Sequence, residues 1–140
     1  MPRQLGDPAF AADEQLFRCL RADWIGADGC ATAEAIDLQG TSVDRGLFAG
    51  APPNCLTRAA PHFVAVGAIV FGDIPDQFHA SSAKPYESVV VYKPENGNEA
   101  HSEIQFWRAG DTGPSKPQSN LLKSQIRGML AERMRVAHRR

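Results

Sequence analysis

Hydrophobic and polar positions are patterned most clearly between Glu87 and Trp107. Glu87-Ser-Val-Val-Val-Tyr-Lys is β-branched and aromatic, a composition that suits a strand. Pro94 and Asn96-Gly97 follow, and such residues favour a turn because Gly tolerates positive φ and Asn does so better than most. Beyond the turn the chain alternates. Ala100, Ser102, Ile104 and Phe106 share one side, and His101, Glu103, Gln105 and Trp107 the other. The pattern predicts a β-hairpin whose second strand has one apolar and one polar face.

The remaining elements are read in the same way. Residues 1–12 hold two prolines and a glycine without periodicity, and read as a loose N-terminal arm before a single domain over 13–140. Leu16, Phe17 and Leu20 form an i, i+1, i+4 stripe behind Asp13, a candidate N-cap, so a short helix is expected there, with a strand as the rival. In Thr32–Leu38, Ala33, Ile36 and Ala35 are candidate core positions. Thr41–Gly46 reads as a compact polar loop around Val43. Residues 46–61, rich in Pro, Gly and Ala, make a long connection of the kind that is either functional or mobile.

His62–Gly72 is apolar on both faces and predicts a central strand, with Gly67 marking a bulge or a close backbone approach. Asp73–Lys84 reads as a loop and Arg108–Gln118 as a linker. The chain should close with a helix over 119–137, capped by Ser119 or Asn120. Leu121, Leu122, Ile126, Met129, Leu130 and Met134 form its stripe, and Gly128 suggests close packing. The tail His138–Arg140 is expected to fray. The fold class is therefore α+β: an antiparallel sheet of three or more strands, a short N-terminal helix, and a C-terminal amphipathic helix packed on the sheet.

Composition sets the bounds. A chain of 140 residues, 43% hydrophobic and 22% charged, fits one globular domain. At this size folding buries roughly two-thirds of the unfolded surface, so a core forms without covalent staples. The three cysteines, Cys19, Cys55 and Cys30, show no C-x-x-C spacing, which argues against a zinc ribbon or a disulfide scaffold. Free thiols, an N-terminus without an apolar signal segment and a longest apolar run of nine residues, Phe63–Phe71, lead to the expectation of a soluble cytoplasmic protein. The net charge of −1 conceals an asymmetry: residues 1–110 carry −6 and residues 111–140 carry +5. An acidic body with a basic end suggests self-association, an acidic partner or a nucleic-acid contact. Arg127, Arg133, Arg135, Arg139 and Arg140 are the candidate partner-binding residues.

The familiar catalytic signatures are absent from the sequence: there is no G-x-G-x-x-G, Walker A loop, H-E-x-x-H or G-x-S-x-G. His101-Ser102-Glu103 matches the H-x-E of zinc deaminases but lacks the P-C-x-x-C that completes that site. The four histidines are dispersed, and neither a metal nor a cofactor is implied. What remains is a loose set. His101 and Glu103 project from one strand face with bases ~6–7 Å apart, a candidate acid–base pair. Thr41, Ser42 and Asp44, on the predicted loop, can approach them, and Arg18 or Arg21 can bind an anion. An exposed strand face, a polar turn and a solvated arginine account for the same residues structurally.

Arg18, Trp24, the Ala33–Ala35 step, Ser42-Val43-Asp44 and a strand His101 preceded by Asn-Glu-Ala resemble the pattern of a group of small bacterial proteins without an assigned activity. The resemblance implies a bacterial cytosolic origin and no function. Separately, Arg18, Ser42 and Glu103 are similar in order to the Arg–Ser–Glu set of ADP-ribosyltransferases, although Ser42 stands in Thr-Ser-Val rather than a Ser-Thr-Ser run. Three functions follow as expectations. The first is a non-catalytic protein-interaction module or adaptor. The second is a small enzyme acting on a nucleotide or ADP-ribosyl group. The third is nucleic-acid binding through the basic C-terminal helix.

Overall fold

A computed structural model describes residues 1–79 and 84–140. The expected hairpin is its centre. Strands β6 (Tyr86–Tyr92) and β7 (His101–Arg108) pair antiparallel from Tyr86↔Arg108 to Tyr92↔Ser102. The turn between them closes with reciprocal Glu95 and Asn98 backbone bonds of 3.0 and 2.9 Å, and Gly97 supplies the required positive φ of 84°.

Around it lies a mainly antiparallel sheet of eight strands. They are β1 (Arg3–Leu5), β2 (Gln15–Arg21), β3 (Thr41–Arg45), β4 (Phe63–Val70), β5 (Gln77–Phe78), β6, β7 and β8 (Arg135–Arg139), with order β1-β6-β7-β3-β2-β4-β8 and β5 also on β6. Among the described residues, only β1 runs parallel to its neighbour. The helices are few: α1 (Gly46–Ala49), α2 (Asn120–Ala131) and short 3₁₀ turns. The structure is thus mixed helix and sheet, mainly sheet. Among the described residues, no helix is long and apolar enough to cross a membrane.

Both faces of the sheet are covered in part. The larger core lies on one face. Leu16, Leu20, Val43, Ile69, Val90, Ile104 and Phe106 meet Leu122, Ile126 and Leu130 of α2, with Ala35 and Ile36 from the 3₁₀ turn at Ala33–Ala35. Ser119 caps α2 by accepting from the Leu122 amide at 3.2 Å. A smaller cluster of Phe17, Val66, Cys55 and Leu56 lies on the opposite face, beneath residues 46–61.

Several expectations are corrected. The short N-terminal helix is strand β2. Because its sheet is covered on both faces, Leu16 and Leu20 point to one core while Phe17 and Cys19 point to the other. This erases the alternation that would have betrayed a strand and leaves a spacing that also fits a helix. Residues 1–12 are not a loose arm: Arg3–Leu5 pairs with Val89–Val91, and Phe10 is buried against Phe71 with ring centroids 5.2 Å apart. Thr41–Arg45 is a strand, not a loop.

The C-terminal helix stops at Ala131 rather than continuing to 137, and the expected frayed tail is edge strand β8, paired with β4. No Gly or Pro marks that stop, and Met134, which fits the helical period, is buried from a turn instead. Gly67 sits at a bulge against β8, and a Cβ there would meet Met134 Cγ at 2.9 Å, so the expected close approach is that of Met134. Gly128, by contrast, faces open space and is not a packing site. The 73–84 loop contains β5, and its residues 80–83 lie outside the described residues.

Candidate functional site

Strands β2 and β3 pair only at Leu16↔Arg45 and Phe17↔Asp44, then separate. Arg18 fills the opening: its Nε donates to the Ala35 carbonyl at 2.7 Å and its Nη1 to the Ser42 carbonyl at 2.8 Å. Its guanidinium lies 5.3 Å from the Trp24 ring centroid. Burial pushes the Arg18 pKa down, while Asp37 and Cys19 act in the opposite direction. A guanidinium so placed stays charged.

The outer face of this opening carries the candidate residues. Asp44 stands directly across from His101, and Ser42 directly across from Glu103. A hollow of about 190 Å³ is lined by Arg18, Trp24, Ser42, Asp44, Cys19, Phe63 and His101. A larger one of about 510 Å³ adjoins it, sharing Cys19, Asp44 and Phe63. Its walls are Phe48, Ala49, Asn54, Cys55, Arg58 and Ala59 from the 46–61 connection and Asn98–Ala100 from the hairpin turn. The two form one cleft along the outer sheet face. Its larger part falls within the several-hundred Å³ usual for small-ligand pockets.

Hydrogen bonds fix the polar groups. Asn98 Nδ2 donates to Asp44 Oδ1 at 2.9 Å, while Asn98 Oδ1 accepts from the Ala100 amide at 3.2 Å. His101 Nδ1 is 2.9 Å from the Lys93 carbonyl. A carbonyl only accepts, so Nδ1 is the donor and Nε2 is the ring nitrogen not engaged in this bond. Glu95 Oε1 lies 3.5 Å from the same nitrogen. Burial raises the Cys55 thiol to about 12, with Asp44 and Cys19 adding to the effect; burial and then Asp44 also raise Cys19, whose thiol donates to the Cys55 carbonyl at 3.3 Å. Both thiols are therefore protonated near neutral pH and unsuited to nucleophilic attack. Among the described residues, no group of three His, Cys, Asp or Glu is arranged to hold a metal.

The structure thus brings Arg18, Ser42, Asp44 and His101 together and leaves Glu103 out. Glu103 lines neither hollow; it is held by Lys93 Nζ at 3.3 Å and Gln105 Nε2 at 3.1 Å. Glu103 nevertheless shares a strand face with His101 and stands directly across from Ser42, whose carbonyl Arg18 binds, so what separates it from the others is only that it lines neither hollow.

The basic residues are dispersed too. Arg127 lies on α2 beside Glu34 and Asp37, and Arg133 donates to the Met129 carbonyl at 2.7 Å. Arg135 and Arg139 are exposed on β8, and Arg140 Nε binds the Phe63 carbonyl at 3.0 Å. No continuous basic helix face exists, because the helix ends before Arg133. Phe48, Cys55, Arg58 and Asn98 were not candidates on sequence grounds. The length of the 46–61 connection was the one signal pointing to three of them.

Comparison of the chain with protein-family models, with curated protein sequences and with solved structures gives no match.

Proposed function

We propose that the outer cleft binds a small anionic ligand of the nucleotide or ADP-ribosyl class. The observation that carries this reading is the sharing of Cys19, Asp44 and Phe63 by two adjoining hollows of unlike chemistry. One end offers Arg18, Ser42 and His101 to an anionic group. The other offers Phe48, Ala49 and Ala59 to a flat apolar ring. Arg58, exposed at the rim, has no carboxylate partner among the described residues and adds a second cation. His101 Nε2 is a base-capable atom in the same cleft, so turnover of the ligand belongs to this reading as its enzymatic form.

Titration calorimetry of the full chain with AMP, ADP and ADP-ribose tests it. Saturable binding that weakens at least tenfold in Arg18→Lys and Phe48→Ala supports the reading. Absence of binding by all three ligands at millimolar concentration overturns it.

A second reading, a protein-interaction module, rests on β8. Arg135 and Arg139 are exposed on β8, where an acidic segment would find charge complementarity; the outer backbone edge at Arg135–Val136 is itself paired with Gly29–Cys30. Charged edge residues also serve simply to block unwanted strand pairing. Pull-down with wild type and with Arg135→Glu/Arg139→Glu distinguishes the two, since only a specific partner is lost with the charge reversal. A nucleic-acid contact through the same arginines would instead show a steep fall in affinity with salt.

A further inference from the structure

Resting on the nucleotide reading of the cleft, we infer that Asp44 recognises the ribose of the ligand by accepting hydrogen bonds from its vicinal 2′- and 3′-hydroxyls. Asp44 lines both hollows, whereas Arg18 lines only the smaller one and Phe48 only the larger. A nucleotide has the same order: an apolar ring, a sugar in the middle and an anionic group at the far end. The carboxylate therefore stands where the sugar would lie.

Its surroundings suit that task. Asn98 Nδ2 occupies one lone-pair direction of Oδ1 at 2.9 Å, and Asn98 is itself held by the Ala100 amide. The neighbouring Arg45 amide donates to the Ala100 carbonyl at 2.9 Å, which locks the strand to the hairpin turn. An ionised carboxylate has about four acceptor directions, so a fixed Asp44 retains capacity for two further donors. A vicinal diol presents two hydroxyl donors that a single carboxylate can take together. A cationic ligand would suit Asp44 and Glu99 but would meet the guanidinium groups of Arg18 and Arg58 in the two parts of the cleft. Asp44 is half-buried, and an acceptor withdrawn from water by the ligand discriminates against one lacking the hydroxyls, which leaves it unpaired.

The test compares AMP with 2′,3′-dideoxy-AMP on the full chain by calorimetry, using wild type and Asp44→Asn. AMP should bind wild type at least tenfold more tightly than the dideoxy analogue. Asp44→Asn should lose that preference, binding the two ligands within about twofold of each other. Equal binding of the two ligands to wild type would overturn the role of Asp44 and leave the nucleotide reading standing. Binding of neither would overturn both. The wild-type comparison needs no variant, so a misfolded Asp44→Asn, detected by its thermal melt, does not remove the test.

Discussion

Arg18 Nη1 reaches the Ser42 carbonyl at 2.8 Å where strands β2 and β3 part. A side chain there does the work of the missing ladder, since a separated strand would otherwise leave backbone acceptors without donors. Arg18→Lys keeps the charge but cannot reproduce a fork that reaches both the Ala35 and Ser42 carbonyls. Hydrogen bonds from charged donors contribute about 1.5–3 kcal/mol each, so a loss of roughly that size is expected in urea denaturation. A neutral outcome would show that water replaces the fork without cost.

Arg45 is wholly buried and engages Glu14 through two bonds of 2.8 Å, with further bonds to the Pro8 and Ala9 carbonyls at 2.6 and 3.1 Å. Its guanidinium also lies 3.9 Å from the Phe10 ring centroid. Removing one member of such a pair strands the other charge, so Glu14→Gln or Arg45→Met should each cost about 3–5 kcal/mol. The double variant should cost less than the two singles together. A denaturant double-mutant cycle measures the coupling, and strict additivity would contradict it.

Two glycines should respond in opposite directions to alanine. A Cβ at Gly67 would stand 2.9 Å from Met134 Cγ and 3.0 Å from Leu20 Cδ1, so Gly67→Ala should destabilise by about 1–3 kcal/mol. Met134→Ala should relieve part of that penalty. At Gly128 nothing lies within 4 Å and the residue is in a helix interior, so Gly128→Ala should stabilise by up to about 1 kcal/mol. Thermal melts of both variants report the signs.

The Cys55 thiol gives a pH dependence. Its value rises from 9.0 to about 12 on folding, chiefly by burial and then through Asp44 and Cys19. Above pH 9 the unfolded thiol loses its proton while the folded one keeps it, so the unfolded state binds fewer protons and stability falls as pH rises. The contribution is complete below pH 9 and disappears as pH climbs towards 12. Denaturation from pH 8 to 10.5 should show a steeper decline for wild type than for Cys55→Ala. Alkylation by iodoacetamide at pH 8 should likewise be slow until the chain is unfolded.

The hairpin at 86–108 was legible in the sequence because one face of β7 is apolar and the turn carries Asn-Gly. Strand β4 was legible from its two apolar faces, which are buried under two different layers. Strand β2 was not, for a related reason: two covered faces leave no alternation to read, and Arg18 interrupts the apolar face for a task that only the parting of β2 and β3 creates. Strand β8 was hidden behind a helix that lacks a stop residue. At the site, His101, Ser42, Asp44 and Arg18 were identified by type, but the engagement of Glu103 by Lys93 and Gln105, outside both hollows, has no local signature in the sequence. Asn98 and Cys55 enter the cleft through long-range contacts that carry no local signature.

Arg45 follows Asp44 immediately on β3, one at the N-terminal clamp and the other at the cleft. The segment at Pro8–Glu14 and the carboxylate that lines the cleft therefore hang from the same short piece of backbone. For protein engineering, residues 8–14 line neither hollow, yet they are tied through Arg45 to the residue beside Asp44. A library that randomises the pocket should hold that segment fixed, and a library aimed at the segment should be expected to return altered binders.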